Sequence, residues 1–195
     1  MDKNDIYQNI KSQLIASAEI KQKIEQECTE DIYQAAMIMT KVFENGGKAF
    51  FCGNGGSAAD SQHLAAELLV RLNMNRSALP AIALTTDTSK LTATANDFSF
   101  DRIFIRQLEG LAKQNDLLVG ISTSGNSANV IEAIKYCNRS KIKTIGLTGG
   151  EGGQIAEIAD LVIRVPSKNV QRIQEGHVTI GHILCDIVEK NLFSE

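Results

Sequence analysis

The sequence predicts an α/β fold: a doubly wound, five-stranded parallel sheet with helices on both faces, preceded by N-terminal helices. Three observations predict it. Five short apolar runs alternate with stretches of helical periodicity. The runs, such as Leu117-Leu118-Val119-Gly120-Ile121, do not alternate with polar residues. Both faces of the sheet therefore need cover, which is the habit of parallel sheets. Finally, 195 residues with 43% hydrophobic content suit a single domain able to close a core.

In chain order, Ile6, Ile10, Leu14, Ile20 and Ile24 recur among polar residues and predict a helix over 5–26. A second helix is expected from Thr29-Glu30-Asp31 to Gly46-Gly47, acidic at its start and closed by glycine. Strands are then expected over 48–52, 81–85, 117–122, 144–147 and 161–165. Helices are expected over 57–72, 87–95, 100–112, 128–138, 154–159 and 170–192. The two prolines, Pro80 and Pro166, fall beside strand ends, where a missing N–H does least harm. No repeat or linker interrupts the series, so residues 1–195 form one domain. The apolar stripe of residues 5–26 needs a partner, either its own domain or another subunit.

Composition narrows the function classes. The net charge of −3 comes from mixed signs without a Lys/Arg cluster, which argues against nucleic acid or an anionic membrane as partner. No apolar run approaches the ~20 residues of a membrane span. Met1-Asp2-Lys3-Asn4-Asp5 lacks the apolar segment of a signal peptide. Four scattered cysteines without a C-x-x-C pair suggest reduced, buried thiols and a cytoplasmic setting. With no Trp and 5% aromatics, stacking platforms for bases are not expected.

Two loops carry the chemistry. Gly53-Asn54-Gly55-Gly56-Ser57 joins the first strand to an Ala/Leu-rich helix. Backbone N–H groups at such a turn make an anion site, with phosphate the usual occupant. Ser122-Thr123-Ser124-Gly125-Asn126-Ser127 repeats the arrangement after the third strand, with four hydroxyls able to hold a phosphate without lysine. Taken alone, the second loop also reads as a Ser N-cap and polar turn. Both loops follow parallel strands and so converge on one sheet edge, which favours a site. Gly53-x-Gly55-x-x-Ala58 formally matches a dinucleotide fingerprint, but the acidic residue expected about 20 positions on is missing. A P-loop is absent as well.

His63 and Glu67, four apart, share a helix face behind the first loop. Each also fits an exposed surface pair. The surrounding Leu64, Ala65, Ala66, Leu68 and Leu69 instead suggest a desolvated carboxylate suited to general base work. In the last helix Gln174 and His182 are eight apart, two turns plus roughly 80°, and can reach one side. His177 falls about 140° away from His182 and is not expected to share that site. Alone, His182 also reads as a core histidine bonded to a backbone carbonyl.

Cys52–Glu67 (C-G-N-G-G-S-A-A-D-x-Q-H-x-A-A-E), Ala95–Phe98 (A-N-D-F), Gly120–Val130 (G-I-S-T-S-G-N-S-A-N-V) and Arg172–His177 (R-I-Q-E-x-H), together with His182, closely resemble the phosphoheptose isomerases. These are SIS-type, flavodoxin-like sugar-phosphate isomerases. The resemblance runs over nearly the whole chain. It implies conversion of sedoheptulose 7-phosphate to D-glycero-D-manno-heptose 7-phosphate, the first step of heptose precursor synthesis for bacterial surface glycans such as lipopolysaccharide. It implies that Asn54, Gly55, Gly56, Ser57, Asn96, Asp97, Ser122, Thr123, Ser124, Ser127 and Gln174 contact substrate. Glu67, a further substrate contact, and His182 match the acid/base pair. His63, Glu67, Gln174 and His182 match the holders of one Zn²⁺ per subunit, although Gln is an unusual zinc ligand. A homotetramer with helices 1–46 at its contacts is implied too. Val70 departs from a commonly glycine position, and Gly176 interrupts a helix at a cost of up to about 1 kcal/mol relative to Ala. A non-catalytic SIS-type module, a zinc hydrolase, and a different SIS isomerase acting on another ketose phosphate or an amino-sugar phosphate are the competing readings. The first would lack the acid/base pair, and the second would want H-E-x-x-H.

Overall fold

The computed structural model describes residues 1–194. Its centre is a sheet of β1 (Ala49–Gly53), β2 (Ala81–Ala83), β3 (Leu117–Ile121), β4 (Lys143–Gly149) and β5 (Leu161–Val165), in the order β2-β1-β3-β4-β5. All four pairings are parallel, with Phe51 opposite Ala83 on one side and Val119 on the other. The predicted doubly wound sheet is therefore present, and its order reverses direction between β1 and β3, where such folds bind ligands.

Alternation along the strands sorts residues into two cores. Phe51, Val119, Ile145 and Leu147 face one core, with Ile24, Leu64 and Leu184 from the helices over it. Phe50 and Leu118 face the other, with Phe104, Ile134 and Ile155. The first face carries α1 (Lys3–Glu44), α2 (Gly56–Leu69) and α7 (Val170–Phe193). The second carries α3 (Thr88–Asp97), α4 (Ile105–Leu111), α5 (Ala128–Arg139) and α6 (Ile155–Ile158).

The two N-terminal helices expected from the sequence are one. α1 runs unbroken for 42 residues, from a capping box between Asp2 and Asp5 to Asn45. The Thr29 hydroxyl, expected to cap a new helix, instead donates to the Glu25 carbonyl 2.5 Å away, a bond made inside a continuous helix. Ile20, Ile24, Cys28, Ile32 and Met39 bury its second half on the domain. Ile6, Tyr7, Ile10, Leu14 and Ile15 leave the first half with an exposed apolar face. Of the two partners foreseen, its own domain takes one half of the helix, and the other half is uncovered.

The remaining boundaries shift little. The helix expected over 100–112 divides into a 3₁₀ turn at Phe100–Arg102 and α4. Gly176 also finds its reason. A Cβ there would lie 2.8 Å from Val165 Cγ2 and 2.9 Å from Ile24 Cδ1, so glycine lets α7 pass close to α1 and β5. Among the described residues, no helix is long and apolar enough to cross a membrane. All four cysteines are free and buried, and burial pushes the Cys137 and Cys185 thiols up to about 12.

Candidate active site

The expected anion loops lie after β1 and β3, at adjacent carboxyl ends. In the first, Gly55 adopts a positive φ of 55° as the N-cap of α2, with no side chain capping the helix. The tight turn spends some of the N–H groups the sequence offered to a ligand: Ser57 donates to Asn54, and Ala58 and Ala59 to Gly55. In the second loop the Ser127 hydroxyl stands at the N-cap of α5 but makes no capping bond. It pairs with Ser122 Oγ at 2.9 Å instead, so the plain N-cap reading fails and a hydroxyl cluster remains. Ser124 Oγ lies 3.5 Å from Ser122 Oγ and accepts from the Asn126 N–H.

A residue the sequence reading passed over joins the loops. Asn129, 2% exposed, exchanges two amide hydrogen bonds with Asn54, at 2.8 and 2.9 Å. Its position as the second residue of a helix behind a polar loop gave no signal, because the partner is 75 residues away.

Three of the four acid/base and metal candidates, His63, Glu67 and His182, come together from α2 and α7. His63 Nε2 lies 2.7 Å from His182 Nε2, with the rings edge to face at 77°. His63 Nε2 is 3.6 Å from Glu67 Oε1. One ligand atom from each of His63, Glu67 and His182 falls within a 4.8 Å cluster. His63 is exposed, and the other two are half-buried. Gln174 lies against the start of α2: a Cβ on Gly56 would sit 1.4 Å from its Nε2. Glycine is the residue that leaves this amide its place. An open cleft of about 990 Å³ lies between α1 and α7 on the Gln174 side, lined by Asn9, Gln13, Asp60, Gln174, Val178 and Thr179, with His63, Glu67 and His182 outside its lining.

Asp60 was also missed. It is 7% exposed, its Oδ2 has no hydrogen-bond partner, and burial pushes its carboxyl up to about 6 against the pull of His63. The spacing Asp60, His63, Glu67 (i, i+3, i+7) is one helix face and held the signal.

His177 is the core histidine that was the competing reading for His182. It is fully buried, and its Nε2 bonds the Thr148 carbonyl at 3.0 Å. Burial lowers its pKa to about 4, the Thr148 bond opposing. The helix-face argument that kept it from the site thus agrees with its position. Asn96 and Asp97 sit exposed at the end of α3, hydrogen-bonded to each other. Among the described residues no hydrogen bond joins either to His63, Glu67 or His182.

The SIS domain family matches residues 14–149. The phosphoheptose isomerase of Geotalea daltonii is 51% identical over 96% of this chain and 98% of its own. The chain belongs to the phosphoheptose isomerase family of SIS-domain proteins. Solved phosphoheptose isomerases from Neisseria gonorrhoeae (44% identity, TM-score 0.90) and Francisella tularensis (39%, 0.92) superpose over 95% and 97% of this chain, and over 99% and 100% of their own. With these TM-scores over nearly the whole of each chain, the α/β fold is the one the solved phosphoheptose isomerases share.

The three clustered side chains fit a zinc ion. Two imidazole nitrogens and a carboxylate are the donors that zinc takes. Among the described residues, no Lys or Arg side chain pairs with the Glu67 carboxylate.

Proposed function

We propose that this isomerase converts sedoheptulose 7-phosphate to D-glycero-D-manno-heptose 7-phosphate through an enediolate. The observation that carries the proposal is the meeting of Glu67 from α2 with His182 from α7, beside His63, in a chain of the phosphoheptose isomerase family. Ser122, Thr123, Ser124 and Ser127 hold the phosphate, with Asn54, Gly55, Gly56 and Ser57 completing the cradle. Asn96, Asp97 and Gln174 bind sugar hydroxyls. Holding the remote phosphate fixes the reacting end beside the acid/base pair.

Glu67 removes the C1 proton of the open-chain ketose and returns it at C2. His182 gives a proton to O2 and takes one from O1, so that the carbonyl moves from C2 to C1. His63, Glu67, Gln174 and His182 would hold one Zn²⁺ per subunit, which when bound supplies Lewis-acid stabilisation of oxyanion character. We place the protein in the cytoplasm as a homotetramer with the uncovered half of α1 at subunit contacts. Its product would feed bacterial surface glycans such as lipopolysaccharide.

The test is purified protein, zinc-loaded and chelated, incubated with sedoheptulose 7-phosphate in deuterated water and followed by NMR. An aldoheptose 7-phosphate is expected, carrying deuterium at C2 where the transferred proton exchanges on Glu67. Binding of the sugar phosphate with no aldose formed would favour the non-catalytic SIS-type module instead.

A further inference from the structure

The segment after α2 turns back under the helix and is held by a buried ion pair. Arg76 and Glu189 expose 2% and 1% of their side chains. Arg76 Nε donates to Glu189 Oε1 at 2.9 Å. Its Nη1 donates to the carbonyls of Leu68 (2.7 Å) and Ser77 (2.9 Å), and its Nη2 to the carbonyl of Glu67 (3.0 Å). The Glu189 carboxylate also accepts from the N–H groups of Leu72 (3.2 Å), Asn73 (2.8 Å) and Met74 (2.9 Å). Each carboxylate oxygen therefore takes two donors, which saturates it. Nothing is left over for a ligand, so the pair acts within the fold.

Its placement gives it a purpose. α2 ends at Leu69, so the carbonyls of Glu67 and Leu68 lose the N–H groups four residues on that a longer helix would supply. Arg76 replaces them and sets a cation at the carbonyl end of the helix, where it is favoured. Glu189 lies seven residues after His182, about 20° short of two full turns, on the same stripe of α7. Farther up the two helices, Gly181 packs on Leu64, where a Cβ would lie 2.5 Å from Leu64 Cδ2. His63 and Glu67 thus stand beside a tight contact at Leu64 and a polar clamp at Glu67, both anchored on the helix that carries His182.

We propose that Arg76 and Glu189 are positioning residues: through the Glu67 carbonyl they hold the last turn of α2 in register with the His182 face of α7. A buried ion pair is a weak source of net stability, and fixing one geometry is its better-attested use. Burial alone would push the Glu189 carboxyl up, yet the Asn73, Met74 and Leu72 N–H groups and Arg76 outweigh it and hold it below the ordinary value. The carboxylate stays charged, and the clamp stays closed. The catalytic part of the proposal rests on Glu67 and His182 being the reacting pair; the ordering of the helix end does not.

The test compares wild type with Arg76→Lys, which keeps the charge and loses the fork, and with Arg76→Met/Glu189→Met, which removes both charges together. Hydrogen exchange is read first. The Val70 N–H, bonded to Ala66, is expected to exchange at least tenfold faster in the variants, while amides of β1 and β3 keep their wild-type rates. Zinc affinity, measured by competition with a chromophoric chelator, is expected to fall at least tenfold. The kcat is expected to fall by a similar factor, with KM for sedoheptulose 7-phosphate changed less than threefold. Wild-type protection at Val70 in a folded variant overturns the proposal. Lost protection with unchanged zinc affinity and kcat reduces the pair to a structural role and overturns its positioning role. If wild type itself binds no zinc and shows no turnover, the functional reading falls, and exchange at Val70 still decides whether the clamp orders the helix end.

Discussion

Two faces of α7 carry histidines five residues apart, and they behave as different residues. Toward β4, His177 is sealed in the core, bonded to a strand carbonyl and held neutral. Toward α2, His182 is half-buried and meets another imidazole and a carboxylate. Side-chain chemistry is common to both, so the turn of the helix alone sends one to the core and the other to the proposed acid/base site. What faces a residue decides its role more than what precedes it in the chain.

The comparison can be broken most sharply at the catalytic face. Glu67→Gln keeps the shape and removes the base, so kcat is expected to fall by about 10³-fold or more while sugar phosphate still binds. Near-normal turnover in that variant would sink the base assignment. At the core face the expectation inverts. His177→Ala should lose about 3 kcal/mol of stability, through the cavity and the abandoned Thr148 carbonyl, and keep kcat within a few-fold in the protein that remains folded. Chemical denaturation and single-temperature kinetics read the two separately, and loss of turnover in folded protein contradicts the division of faces.

Acid sharpens the same contrast. With a folded pKa of about 4 against 6.5 for the free side chain, His177 binds its proton more readily when unfolded. Its contribution is complete above about pH 6.5 and is lost as pH falls toward 4, on the order of 3 kcal/mol in all. Glu189, held low, adds its own loss only at lower pH. Asp60, its carboxyl raised to about 6 by burial, contributes with the opposite sign over nearly the same range, so the lead of wild type over His177→Ala in thermal midpoint, rather than the wild-type midpoint itself, should shrink as pH falls from 6.5 to 4. The smallest effect is expected at Gly176→Ala. Helix propensity favours alanine by about 1 kcal/mol, yet the contacts with Val165 and Ile24 are too close for a methyl. A net destabilisation of about 1–2 kcal/mol should result, and a rise in thermal midpoint would show that α1 and β5 yield.

The sheet was legible because its strands are apolar on both faces, a pattern that survives without tertiary information. The triad was legible because α2 and α7 each carry it at helical spacing, and because four motifs resemble one family in order. The single α1 was not. Thr29-Glu30-Asp31 is a sound helix start in isolation, and only the bond from Thr29 back to Glu25 shows the helix continuing through it. Asp60 is legible in the i, i+3, i+7 spacing it shares with His63 and Glu67; Asn129 and the Arg76–Glu189 pair escaped for another reason. Their meaning lies in partners or cavities set by the fold, 75 residues off for Asn129 and 113 for Arg76. Gly176 belongs with them, since the atoms that forbid a side chain there come from α1 and β5.

The paired amides of Asn54 and Asn129 have one more consequence. Because the two loops are tied to each other by the protein itself, the proposed phosphate cradle is joined across its two halves without a ligand. Loops held in one arrangement beforehand leave less ordering entropy to be charged against the affinity of a phosphate that binds between them.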